Sequence, residues 1–149
     1  MSLARQLAER ICALRYESLP PEAVHWSRVA VLDTVGVALA GSREAAPRVV
    51  EEVLELRSGD GPCLIIGTNR RAGALDAALV NGTAAHALDY DNTASSLGGH
   101  VSAVMIPALI AAAEAHGGSG RDLLLAHVAG FETGRIGLGV NPHHTEKGW

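Results

Sequence analysis

The stretch "VAVLDTVGVALAG", residues 29 to 41, decides the fold class. It is apolar nearly all round, and Asp33 and Thr34 are its polar exceptions. A helix of that kind is normally buried on most of its sides. The reading is therefore one long core helix from about Pro21 to Ala40, with Gly41 as its stop. Asp33 and Thr34 are expected to form a hydrogen-bonded structural pair, because buried polar groups are usually satisfied locally.

Working outward, more helices follow. Leu3, Leu7, Ile11 and Leu14 recur at helical spacing. "SLPPEAV" (18 to 24) breaks that helix and opens the next, with Glu22 in a first turn where acid suits the dipole. Val49, Val53 and Leu56 suggest a third helix over 46 to 56, and "SGDGP" (58 to 62) a turn. "CLIIG" (63 to 67) reads as one short β-like run. Helices over about 72 to 88 and 101 to 116 follow, and "GGSGRD" (117 to 122) separates the latter from a sixth. Asp122 and Ser119 can cap that sixth helix. Glycines 130, 134, 137 and 139 within it imply close packing or fraying. Pro107 sits inside the fifth helix, so regular helix is expected to begin nearer Ile106. The fold class is mainly α, with at most one short strand or hairpin.

The chain has 149 residues and a net charge of −4, with no Lys/Arg block beyond Arg70-Arg71. Nucleic-acid binding needs a basic face, so no nucleic-acid partner is expected. The apolar run 101 to 113 is far short of the ~20 residues a bilayer needs, so no membrane partner is expected either. The opening "MSLARQLAER" is an amphipathic helix and not a signal peptide, which makes a cytoplasmic location the default. Cys12 and Cys63 suggest neither a disulfide framework nor a zinc or iron–sulfur set.

One segment concentrates polar chemistry: "ALDYDNTASSLGGH", residues 87 to 100. Asp89 and Thr93 share a face if the helix before them persists, and Asp91 and Asn92 then point elsewhere. Gly98-Gly99 allow a tight turn. His100 follows, and then the free N–H groups of a helix start, which favour an anion. An imidazole, a carboxylate, a hydroxyl and a helix N-terminus are the parts that proton abstraction beside a carboxylate needs. On the residues alone, a polar interhelix loop is the more ordinary reading. His86, three residues before Asp89, either joins this set or is a core histidine bonded to backbone. His116 reads as a helix-end residue, and His127 as a surface or core one. The adjacent pair His143-His144 diverges, so no metal site is expected. "GTNRRAG" (67 to 73) lacks the phosphate-loop pattern.

The same residues resemble a known family. "LDTVGVALAGS" (32 to 42), "NGTAAHALDYDNT" (81 to 93), "GHVSAVMIPALIAAAEAHGGSGRDLL" (99 to 124) and "GFETGRIGL" (130 to 138) are similar to segments of the MmgE/PrpD family, in order along essentially the whole chain. That family includes 2-methylcitrate dehydratase, cis-aconitate decarboxylase and iminodisuccinate epimerase. The resemblance implies a large all-helical domain with a smaller α/β lid, usually in a homodimer. Residues 1–149 then correspond to an incomplete N-terminal helical part from which the lid is absent, either a fragment or one half of a split protein. It implies cofactor-independent lyase chemistry, dehydration or decarboxylation of a small di- or tricarboxylate. Epimerisation is the close alternative, and a non-catalytic helical subunit pairing with a related chain is the alternative from another class. His100, Asp89 and Thr93 match family catalytic positions; Asp91, Asn92, Ser102 and His86 are the expected substrate-binding residues. Asn92 stands where members often carry a second Asp. The implied partners are a small polycarboxylate and either a second copy or a complementary chain.

Overall fold

The computed structural model describes residues 2–55, 61–140 and 146. These residues form six α-helices, one 3-10 turn and a two-stranded hairpin. In chain order they are α1 (Leu3–Ala13), the 3-10 turn Tyr16–Ser18, α2 (Pro21–Gly41), α3 (Ala45–Val53), β1 (Cys63–Leu64), β2 (Arg71–Ala72), α4 (Ala74–His86), α5 (Val101–His116) and α6 (Gly120–Val140). The chain is mainly α, as its periodicity predicts. The turn expected over 58 to 62 and the pair His143-His144 fall largely or wholly outside the described residues.

α4 is the centre of the packing. α2, α3 and α5 all pack against it, α2 also touches α5, and α6 closes on α2 and α5. The residues that allow this are small. Ala38, Ala84, Ala85 and Ala103 form one buried cluster joining α2, α4 and α5. Alanine costs little helix entropy and occupies little space, so helix axes can approach closely. Two glycines take the approach further. A Cβ on Gly41 would overlap the carbonyl of Ala84, and a Cβ on Gly82 would lie 2.9 Å from Ala103 O. That second carbonyl is the one Pro107 leaves without its helical donor, since proline has no N–H to give to residue i−4. α5 nonetheless runs unbroken from Val101 through Pro107 to His116, not from Ile106 as expected, because it packs against α2, α4 and α6 along its length.

The second cluster sits under the hairpin: Cys63, Ile65, Ala72, Ala77, Val80 and Ala111. "CLIIG" pairs antiparallel with Arg71–Ala72, Cys63 opposite Ala72. Buried Asn81 of α4 imitates a further strand. Its Oδ1 accepts from Ile66 N at 2.9 Å and its Nδ2 donates to Leu64 O at 2.9 Å. The Cys63 thiol donates to Ala111 O, and burial raises its pKa. Such a thiol is a small core hydrophobe and not a nucleophile.

Ser119 and Asp122 cap α6 reciprocally. Ser119 N–H donates to Asp122 Oδ2 at 2.8 Å and Asp122 N–H donates to Ser119 Oγ at 3.3 Å. Gly130 and Gly134 admit the side chains of Met105 and Leu97, whereas Gly137 and Gly139 face open space.

Two expectations about α2 are corrected. Its buried residues are Ser27, Ala30, Thr34, Ala38 and Gly41, one narrow stripe of small side chains, and Leu32 is 77% exposed. The apolar surround is not buried on most sides, because no described element covers the face bearing Trp26, Val29, Leu32 and Leu39. By length and composition α2 is also long and apolar enough to cross a membrane. Asp33 and Thr34, expected as a satisfied pair, leave Asp33 Oδ2 and Thr34 Oγ1 buried without a hydrogen-bond partner among the described residues.

Candidate active site

α4 ends at His86 because the backbone turns there. Ala87 caps it, Asp89 N–H donates back to His86 O at 3.0 Å, and Asp89 adopts φ +54°. Aspartate is among the few residues with a side chain that enter this left-handed region with any frequency. Asp89 and Thr93 therefore share no helix face, which corrects the spacing argument. The chain then reverses. Ala94 N–H donates to Gly99 O, and both Leu97 and Gly98 N–H donate to Ala94 O, each at 2.9 Å. Gly98 sits at φ +71°, which explains why a glycine stands there. The loop so closed delivers His100 to the N-cap of α5, beside His86 at the end of α4.

The result is a compact group of four side chains. Asp91, whose side chain is fully buried, lies between two imidazoles. Its Oδ1 is 2.9 Å from His86 Nδ1 and its Oδ2 is 3.1 Å from His100 Nδ1. The two rings meet edge-on, 4.5 Å between centroids. Asp89 Oδ1 stands 3.6 Å from His100 Nε2. A carboxylate only accepts, so both Nδ1 atoms must donate. This fixes the tautomer: when either ring is neutral, its lone pair lies on Nε2. The hydrogen bond and charge of Asp91 raise the His86 pKa, against some desolvation, and Asp89 adds to the rise.

His86 and His100 line one cavity of about 830 Å³, with Gly82, Thr83, Ala103 and Val104 among its walls. Thr93, Asn92 and Ser102 do not line it. They border a different cavity of about 650 Å³, together with Asp33, Ser27 and His127. The expected set is thus divided in two. His86, Asp89, Asp91 and His100 come together, and Thr93, Asn92 and Ser102 are placed elsewhere. Asp91, read from its spacing as pointing away, is the hub, with both oxygens occupied by imidazoles. His86 is half-exposed and bonded to a carboxylate, not a core residue bonded to backbone.

The four side chains offer one donor atom each within 4.8 Å of one another, a set that also has the composition of a cation site. In the arrangement found, the two Nδ1 atoms and both Asp91 oxygens already face each other through hydrogen bonds. The geometry is a hydrogen-bonded network in which Asp91 holds both imidazoles through Nδ1 and leaves each Nε2 outside that bridge. Spacing does not reveal this bridge, since an aspartate five residues after a histidine meets it only when the intervening helix stops.

The second cavity contains a group that spacing did not reveal. His127, buried in α6, pairs through Nδ1 with Ser27 Oγ at 3.0 Å. Burial lowers its pKa. A histidine held neutral by the fold contributes stability that is fully present above its ordinary value of about 6.5 and is lost as pH falls through the lowered one. His86 acts in the opposite sense: its raised pKa contributes stability below that ordinary value, lost as pH rises through the raised one. Thermal unfolding followed from pH 8 to pH 5 in the wild type and in His127→Gln isolates the first effect. The wild type is expected to lose stability relative to the variant as pH falls, and parallel curves would contradict the assignment.

This geometry defines a helical domain that holds an oriented imidazole at a helix start. The chain belongs to the MmgE/PrpD family, since the family's N-terminal domain matches residues 5–149. Among its relatives, cis-aconitate decarboxylase-like protein oryM of Aspergillus oryzae is 31% identical over 91% of this chain and 30% of its own length. Cis-aconitate decarboxylase of Aspergillus terreus is 29% identical over 85% of this chain and 27% of its own. The human cis-aconitate decarboxylase is 30% identical, covering 91% and 29%. The chain therefore spans less than a third of the length of these relatives, and the kinship is lyase-type at the level of the family.

Proposed function

We propose that this chain supplies the acid–base imidazole of a lyase acting on a small di- or tricarboxylate. One observation carries the reading: His100 gives Nδ1–H to a buried carboxylate, which commits Nε2 to proton transfer beside an open cavity. Imidazole exchanges protons near neutral pH, and such groups contribute about 10²–10⁴-fold to rate. In a dehydration, neutral Nε2 takes the proton from the carbon beside a carboxylate as the hydroxyl departs with a proton from a second acid. A decarboxylation makes the opposite demand: the C–C bond electrons released with CO₂ form a new C–H bond with a proton that Nε2 first takes up from a second acid and then relays, since its lone pair is free while Nδ1 donates to Asp91. In the epimerase alternative, the proton is taken from one face and one is returned to the other. The opening N–H groups of α5, which carry no side-chain cap, favour the substrate carboxylate.

The decarboxylase relatives make cis-aconitate the first substrate to test, with 2-methylcitrate and iminodisuccinate beside it. Calorimetric titration with each acid is expected to give saturable binding, accompanied by a shift of the His100 ring proton in NMR spectra. CO₂ release, water loss and epimerisation are then followed with the chain alone and combined with the remaining length of a relative. A chain that joins a related subunit yet binds no polycarboxylate is the non-catalytic alternative, and that outcome removes the enzymatic reading.

The reading also needs no metal ion. Exhaustive treatment with EDTA is expected to leave turnover and polycarboxylate binding unchanged. Loss of either, restored by a divalent cation, would reassign the four-residue cluster.

A further inference from the structure

The bridge at Asp91 is symmetrical in connectivity and asymmetrical in setting. One buried carboxylate carries one negative charge and is held by two imidazoles, so a single imidazolium neutralises it. Two imidazoliums with ring centroids 4.5 Å apart would repel. The side chain of His86 is 52% exposed and that of His100 is 32% exposed, so water stabilises a charge better on His86. His86 also makes the shorter bond, 2.9 Å against 3.1 Å.

We propose that His86 is a positioning residue whose imidazolium neutralises Asp91, so that His100 is held through Nδ1 yet stays uncharged, with a basic Nε2, at neutral pH. The inference rests on the lyase reading for its use, though not for its test. The charged groups facing the pair are Asp91 from beneath and Asp89 from the loop. Asp89 lies 3.6 Å from His100 Nε2 and draws the proton the other way. It is mostly solvated, which screens it, whereas Asp91 is enclosed. Among the described residues, the rest of the cavity wall is alanine, leucine, glycine, valine and Thr83, and none of these titrates. Asp91's hold on His86, which raises that ring's pKa, acts in the same direction.

Nitrogen and ring-proton NMR of the histidines, followed against pH in the wild-type chain, decides the point without any turnover. The expected spectra show His86 protonated on both nitrogens at pH 7 and His100 neutral, with its proton on Nδ1. A His100 that carries the charge while His86 is neutral overturns the proposal, and no variant need fold for that result.

Three substitutions separate charge from hydrogen bonding. His86→Gln keeps a donor to Asp91 without the charge, and His86→Phe removes both. In each, His100 is expected to inherit the proton, its midpoint rising by about one pH unit, a tenfold change in proton affinity. His86→Arg restores a fixed positive charge and is expected to return the midpoint toward wild type. A merely structural His86 would be rescued by Gln and not by Arg, and equal midpoints in all four proteins would also refute the role. Where turnover is present, the acidic limb of the pH–rate profile should move with the His100 midpoint.

Discussion

Replacing His100 by alanine is expected to lower turnover of the preferred polycarboxylate by about 10²–10⁴-fold, the range of a positioned acid–base group. The loss falls mainly on kcat, because the imidazole acts on the reacting proton more than on the bound ground state. Asp91→Asn is the companion. An amide presents a donor where one imidazole needs an acceptor, so one Nδ1–H loses its partner and the tautomer is released. Nε2 then carries a proton in part of the population and cannot accept another. Activity in Asp91→Asn should fall by a comparable order, with folding kept if its circular dichroism and melting midpoint remain close to wild type. Thr93→Ala provides a contrast, because Thr93 borders the other cavity. A milder effect there agrees with the division of the site, whereas losses equal to His100→Ala would show that the two cavities act as one. Wild-type turnover in His100→Ala would end the catalytic assignment of that imidazole.

The second large effect concerns the fold itself. Gly41→Ala is expected to destabilise the protein by about 3 kcal/mol, the upper part of the range for overpacking a tight contact. Its Cβ would collide with the carbonyl of Ala84, and that atom is backbone within the central helix, unable to swing aside. The helices must separate, and the contacts among Ala38, Ala84, Ala85 and Ala103 loosen with them. Gly36 lies five residues earlier in the same helix with no atom within 4 Å of an added Cβ. Gly36→Ala should therefore stabilise by up to about 1 kcal/mol through helix propensity alone. Urea midpoints of the two variants are expected on opposite sides of wild type. Equal stabilities would mean that α2 and α4 are not packed as closely as described.

That contrast shows where sequence reading reaches its limit. In "VAVLDTVGVALAG" Gly41 reads as the helix stop and Gly36 as an interruption of the apolar run, and neither reading tells that Gly41 alone of the two meets backbone across the interface. The capping of α6 by Ser119 and Asp122 was legible, since both partners lie within one turn. The start of α5 was legible only in part: the diglycine and the helix pattern mark it just after His100, whereas Pro107 argued for a regular helix from nearer Ile106. The end of α4 was legible to within two residues, but the left-handed turn at Asp89 was not, because it follows from closing the loop onto α5.

The order of residues along the chain determined that this protein is helical, where most of its helices begin and end to within a few positions, and that polar and titratable side chains concentrate between residues 86 and 102. Periodicity and local capping settle those matters within a turn or two of backbone. Only the tertiary structure decided that Asp91 joins two imidazoles while Thr93, Asn92 and Ser102 border another cavity, and that no described element covers one face of α2. Those outcomes depend on groups brought together by loop closure and helix packing, for which spacing along the sequence carries no periodic signal.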